Sequence, residues 1–101
     1  MAQYWVTFRL ASDQTYQKRY DEMLEAMTNL RTGSWGEPTS FWSIFSDHSV
    51  DAVCKKMSAP LKADKDLLIV GIVGQTTVVY FGSLEYPAVF KEHFPAARKL
   101  G

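Results

Sequence analysis

The chain has one cysteine, Cys54, among 101 residues. No internal disulfide can form, so a cross-linked scaffold is excluded and the fold must rest on packing. Cys54 falls at an apolar helical position and reads as a small buried hydrophobe rather than a nucleophile. An excess of either charge is also missing, because 11 basic residues face 11 acidic ones. A balanced chain projects no global field toward nucleic acid or a membrane surface. Long apolar runs are absent too. The longest, Leu67–Val73, spans seven residues, far short of the roughly 20 that cross a bilayer. The N-terminal MAQYWVTFRL has no basic segment followed by an apolar one, so no signal peptide is expected and a reducing cytoplasm fits.

Chemistry-bearing motifs are equally sparse. The two histidines, His48 and His93, lie far apart and show no metal-ligand spacing, and there is no Cys–His cluster. Gly71 and Gly74 belong to neither a G-x-x-x-x-G-K nor a G-x-G-x-x-G pattern. Ser46-Asp47-His48-Ser49 holds the residue types of a catalytic triad, but neighbours in sequence do not converge as a triad requires, and helix capping explains them better. No cofactor is implied.

What the sequence has is 47% hydrophobic and 14% aromatic residues, enough for one core in one domain spanning 1–101. The order of hydrophobic periods is its clearest signal. In 4–10, Tyr4, Val6, Phe8 and Leu10 alternate with Trp5, Thr7 and Arg9, which predicts a strand. Ser12 or Asp13 is placed to cap a helix over 16–30. Its stripe is Tyr16, Tyr20, Met23, Leu24, Met27 and Leu30, with Lys18, Arg19, Glu22 and Glu25 facing away. Gly33 suits a left-handed residue past that helix, and 33–40 reads as a turn or short edge strand. Phe41–Phe45 is a second strand. A second helix over 50–61 buries Val50, Val53, Cys54, Met57 and Leu61, and Pro60 should kink it or end its regular part. Leu67–Val73 is a third strand, Gly74-Gln75 a hairpin turn, Thr76–Phe81 a further strand, and Tyr86–Leu100 a C-terminal helix interrupted at Pro95.

Two βα units with a β–β connection predict an α+β, ferredoxin-like βαββαβ core over 3–73, with an additional strand and helix in 74–101. Helices should cover one sheet face. The other face carries Trp5, one side of Phe41–Phe45 and one side of Leu67–Val73, where a half-solvated sheet would alternate apolar with polar. A homodimer packed through these faces is therefore expected, with Thr76–Phe81 adding to a sheet edge. The competing expectation is that the C-terminal segment folds back over the face.

Four residues make the candidate anion or dimer-interface site: Arg9, Asp13, Trp5 and Trp42. Arg9 points to the open face by parity with Trp5, and a buried guanidinium there needs an acid or a phosphate. Asp13, Glu37, Asp47 and Glu85 are the candidate partners. The aromatics Trp5, Phe41, Trp42 and Phe45 invite a base-stacking reading, but only Arg9 supplies basic charge on the sheet, so packing is favoured. Lys55-Lys56, Lys62 and Lys65, and Lys91, Arg98 and Lys99, are interspersed with acids and read as solvated helix faces, with a phosphate-binding strip as the alternative. A pocket among Trp5, Trp35 and Trp42 would instead indicate a small-ligand site.

Several segments resemble a known family. Val6-Thr7-Phe8-Arg9-Leu10 resembles the opening strand of CRISPR-associated Cas-two type proteins and their VapD and SinR-like relatives, which often read V-x-Y-D-L. Trp42-Ser43-Ile44-Phe45 is similar to their x-S-V-F strand, and Asp66 before Leu67-Leu68-Ile69-Val70 to their D-x-apolar strand. Arg19-Tyr20-x-x-Met23-Leu24 and Thr39-Ser40-Phe41-Trp42 resemble the SinR-like branch more closely. The resemblance covers roughly 3–73. It implies a ferredoxin-like domain, a symmetric dimer through the sheet faces and often a terminal strand that joins the partner's sheet. In nuclease members it implies a divalent metal held by an aspartate that ends the first strand. Arg9 occupies that position here, and a guanidinium repels a cation. Asp13 is the nearest substitute. The expectation is a non-catalytic homodimer that binds a partner protein or nucleic acid, with a metal-dependent nuclease or toxin as the alternative.

Overall fold

The computed structural model describes residues 1–100. In chain order the elements are β1 (Ala2–Arg9), α1 (Tyr16–Leu30), β2 (Arg31–Trp35), β3 (Phe41–Ser46), α2 (Val50–Ser58), β4 (Leu67–Ile72), β5 (Val78–Gly82), α3 (Pro87–His93) and β6 (Arg98–Lys99). The strands form one mixed sheet in the order β2-β3-β1-β4-β5-β6. Every neighbouring pair is antiparallel except β5 and β6, which run parallel.

Register fixes the two faces. Val6 lies opposite both Trp42 and Val70, and Trp5 opposite both Ser43 and Gly71. Side chains alternate across a strand, so Tyr4, Val6, Phe8, Ile44, Leu68 and Val70 share one face, and all are buried. α1 and α2 cover that face. α1 contributes Met23, Met27 and Leu30, spaced to fall on one side of a helix, and α2 contributes Val53, Cys54 and Met57. Ser49 caps α2, its side chain accepting from the Ala52 N–H at 3.1 Å. The helix ends at Ser58, ahead of Pro60, whose ring nitrogen cannot donate.

The connections differ from expectation in three places. No left-handed residue follows α1. Arg31 is extended and pairs with Ser46, so β2 begins where the helix stops and Gly33 lies within it, at a register shift. Left-handed glycines occur instead at Gly74, in the β4–β5 turn, and at Gly82 (φ 82° and 108°). A Cβ on Gly82 would fall on the Asp66 carbonyl oxygen, so the end of β5 requires glycine there. The C-terminal segment is not one helix. α3 ends before Pro95, and residues 98–99 run beside β5, where the Leu100 N–H donates to the Tyr80 carbonyl at 2.7 Å. β5 is thus flanked by strands of its own chain on both sides, by β4 along its length and by β6 at Val79 and Tyr80.

α3 lies on the face opposite α1 and α2. Phe90 meets Tyr80 edge-on with ring centroids 5.2 Å apart, and Phe94 meets Trp5 at 6.2 Å. The C-terminal segment therefore folds back over the β1, β4 and β5 part of the open face. The β3 and β2 part is left uncovered, with Phe45 44% and Trp35 50% exposed.

Candidate functional site

The densest polar cluster ties the end of β1 to the start of α1 and to the loop before β4. Asp66 is fully buried and Arg19 is 4% exposed. Arg19 Nε donates to Asp66 Oδ2 at 2.9 Å and Nη2 to Asp66 Oδ1 at 3.2 Å. Nη2 also donates to the Ala11 carbonyl at 2.8 Å, and Nη1 donates to Asp13 Oδ1 at 2.7 Å and to the Thr15 hydroxyl. All five guanidinium N–H groups are thereby used. Asp66 also accepts from the Ala11 and Lys62 N–H groups, each at 2.9 Å. A carboxylate with four donors has no site left for a ligand.

Charge follows geometry. Burial pushes the Asp66 carboxyl up, but the Arg19 hydrogen bonds and the two backbone donors outweigh it, and the group lies below the usual carboxylate range. Asp13 is held well below that range by Arg19 first and by Lys65 second, whose Nζ donates to Oδ2 at 2.9 Å. Arg19, placed on the solvent side by its neighbours in sequence, is instead a core residue. It shares the spacing 19, 23, 27, 30 with Met23, Met27 and Leu30, and that spacing was the available signal.

Asp13 does not cap α1 in the expected way. Its Oδ1 accepts from the Thr15 N–H at 2.9 Å, two residues on, and the residue preceding the helix makes no side-chain cap bond. With Arg19 and Lys65 both on its oxygens, Asp13 does not fit a divalent cation, which would have to displace two cations already in place. No group of three or more His, Cys, Asp or Glu side chains arranged to hold a metal occurs among the described residues.

Arg9 stands at the end of β1 with its side chain half exposed. Nη2 donates to the Ser83 carbonyl at 3.1 Å, and Nη1 lies 4.0 Å from Glu85 of the same chain. Of the four candidate acids, Glu85 is the one beside it, and exposure removes the need for a buried counter-charge. Trp5, Trp35 and Trp42 do not converge. Trp42 lies on the helix side, half buried over Gly36, where a Cβ would collide with its ring. Its indole Nε1 is buried without a hydrogen-bond partner among the described residues. Trp35 is at the sheet edge, donating to Glu37 at 3.0 Å. Trp5 lies mid-sheet on the open face, its indole against Gly71.

Cys54 is fully buried, and burial, helped by Asp51, pushes its thiol up to about 12. His48, in the loop between β3 and α2, and His93, at the end of α3, are both exposed. No helix among the described residues is long and apolar enough to cross a membrane.

No family model, no curated protein and no solved structure matches the chain.

Proposed function

We propose that this protein is a non-catalytic, ferredoxin-like homodimer that binds a partner macromolecule, of the group that Val6–Leu10 and Asp66–Val70 resemble. The order β2-β3-β1-β4 with antiparallel neighbours, and a helix after β1 and after β3, supports reading 2–72 as a split βαβ core. β5, α3 and β6 then extend the sheet on the β4 side.

The observation that carries the binding reading is the uncovered aromatic row on the open face. Phe41, Phe45 and Trp35 stand there beside Ser43, Thr7 and Gln3, outside the reach of α3. A second copy is the occupant favoured by charge, since a chain with 11 basic and 11 acidic residues meets its own copy without net repulsion. Each buried aromatic contributes roughly 1.5–3 kcal/mol before association costs. The nuclease reading is disfavoured because Asp13, the carboxylate nearest in sequence to its metal position, is occupied by Arg19 and Lys65, and the position itself holds the Arg9 guanidinium beside Glu85.

Light scattering at micromolar concentration tests the dimer. Twice 11.5 kDa is expected for the native chain and 11.5 kDa for Phe45→Glu with unchanged circular dichroism. A native species of 11.5 kDa alone overturns the dimer. Magnesium-dependent cleavage of RNA or DNA that vanishes in Asp13→Ala overturns the non-catalytic reading.

A further inference from the structure

We propose that the cleft between Trp5 and the segment following α3 binds a planar heteroaromatic ring of the nucleobase class. The cleft lies on the covered half of the open face, away from the aromatic row assigned to the dimer, and stands independently of that assignment.

The cleft has a volume of about 310 Å³, and its lining combines apolar side chains, Trp5, Val78, Phe94, Pro95 and Ala96, with the polar Gln75, Thr76 and His93. Its aromatic wall is held in place by the sheet. Trp5 pairs across β1 and β4 with Gly71, and a Cβ at that position would fall within the indole ring. The indole therefore lies against bare backbone. The Phe94 ring stands 6.2 Å from it, tilted by 43°. Aromatic rings already packed on one another present π faces to a flat ligand.

The polar residues select the kind of ring. Gln75, Thr76 and His93 are exposed, so their donors and acceptors meet water in the free protein and are available to a ligand. The Gln75 amide and Thr76 hydroxyl each donate and accept, as a neutral imidazole does. A hydrocarbon ring would desolvate these groups without pairing them, at a cost for each. An anionic ligand would find no lysine or arginine in the lining. A ring carrying both donors and acceptors on its edge satisfies both kinds of lining residue, which describes a purine or pyrimidine. The volume, at the small end of the roughly 300–1,000 Å³ of ligand pockets, suits one base or nucleoside.

The test follows the Trp5 indole N–H by NMR in the full chain while adenosine, guanosine, cytidine, uridine or a single-stranded oligonucleotide is added. The Trp5 signal is expected to shift saturably and the Trp35 signal to stay. Gln75→Ala and Thr76→Ala, both in an exposed turn, should retain the spectrum and weaken binding several-fold. Trp5→Ala should weaken it at least fivefold, the effect of losing roughly 1 kcal/mol or more of stacking. An oligonucleotide midpoint at least tenfold below that of the nucleosides assigns the base to nucleic acid, and equal midpoints assign it to free nucleosides. A Trp5 signal silent toward all five probes overturns the proposal. So does undiminished binding in the Gln75→Ala and Thr76→Ala variants, or equal binding of benzyl alcohol.

Discussion

The two faces of the sheet follow opposite rules. The helix face is closed, its apolar side chains covered by α1 and α2, and its main charged group, Asp66, saturated with donors at 2.9–3.2 Å. The opposite face is covered on one half by α3, a helix of seven residues none of which is buried. It leaves exposed aromatics on the other half and an open cleft beside Trp5. The closed face holds the fold together, and the half-covered face has surface to offer a partner. Asp13, a candidate site residue by sequence, is held in the Arg19–Asp66 cluster on the closed side, whereas the exposed apolar groups of the other face are aromatic.

The contrast breaks first where the closed face is opened. Asp66→Ala leaves Arg19 buried with one of its two acids gone, and should cost about 3–5 kcal/mol in urea unfolding. Replacing both partners at once, with Arg19→Met and Asp66→Leu, should cost less than Asp66→Ala alone, because neither charge is left behind.

Acid should act on the same cluster. Asp13 and Asp66 have folded values below their unfolded ones, so their stabilisation is present above the unfolded carboxylate value of about 4 and is lost as pH falls toward the folded values. Thermal unfolding followed from pH 7 to pH 2 should show the midpoint dropping below about pH 4. Asp66→Ala should flatten that drop.

On the open face the effects are smaller. Gly71→Ala forces the Trp5 indole off β4 and should cost about 1–3 kcal/mol by overpacking, with a shifted Trp5 NMR signal and an unchanged Arg19 environment. Smallest is Arg98→Ala. Arg98 Nη2 lies 2.8 Å from Asp51, and both side chains are half exposed, so its loss should change stability by under about 1 kcal/mol in the same unfolding assay. A larger loss would mean that β6 is fastened more firmly than an exposed ion pair allows.

Most elements were legible because their periods are local. Met23, Met27 and Leu30 declare α1, and Val6 and Phe8 declare the inner face of β1, without knowledge of any partner. The edge of the sheet was less legible. Residues 31–35 carry little apolar pattern and are strand because β3 offers them hydrogen bonds. Likewise 98–99 are strand because β5 has an unpaired edge, whereas their own spacing continues the helix before them. The candidate site was read in parts. Trp5 was singled out, but its cleft includes Gln75, Thr76 and His93, brought to it by a turn and by α3. Arg19 was misplaced because its charge outweighed its spacing, and Asp66, its partner, lies 47 residues away.

By itself the sequence determined the alternation of strands and helices, the apolar side chains at the centre of the core, and the buried state of Cys54. These follow from short-range periodicity and from the cost of leaving apolar surface in water. The tertiary structure decided which charges are buried, which half of the open face α3 covers, and that Trp5 and Trp42 lie on opposite sides. Those outcomes depend on register and on contacts between distant segments, where a shift of one residue exchanges the two faces.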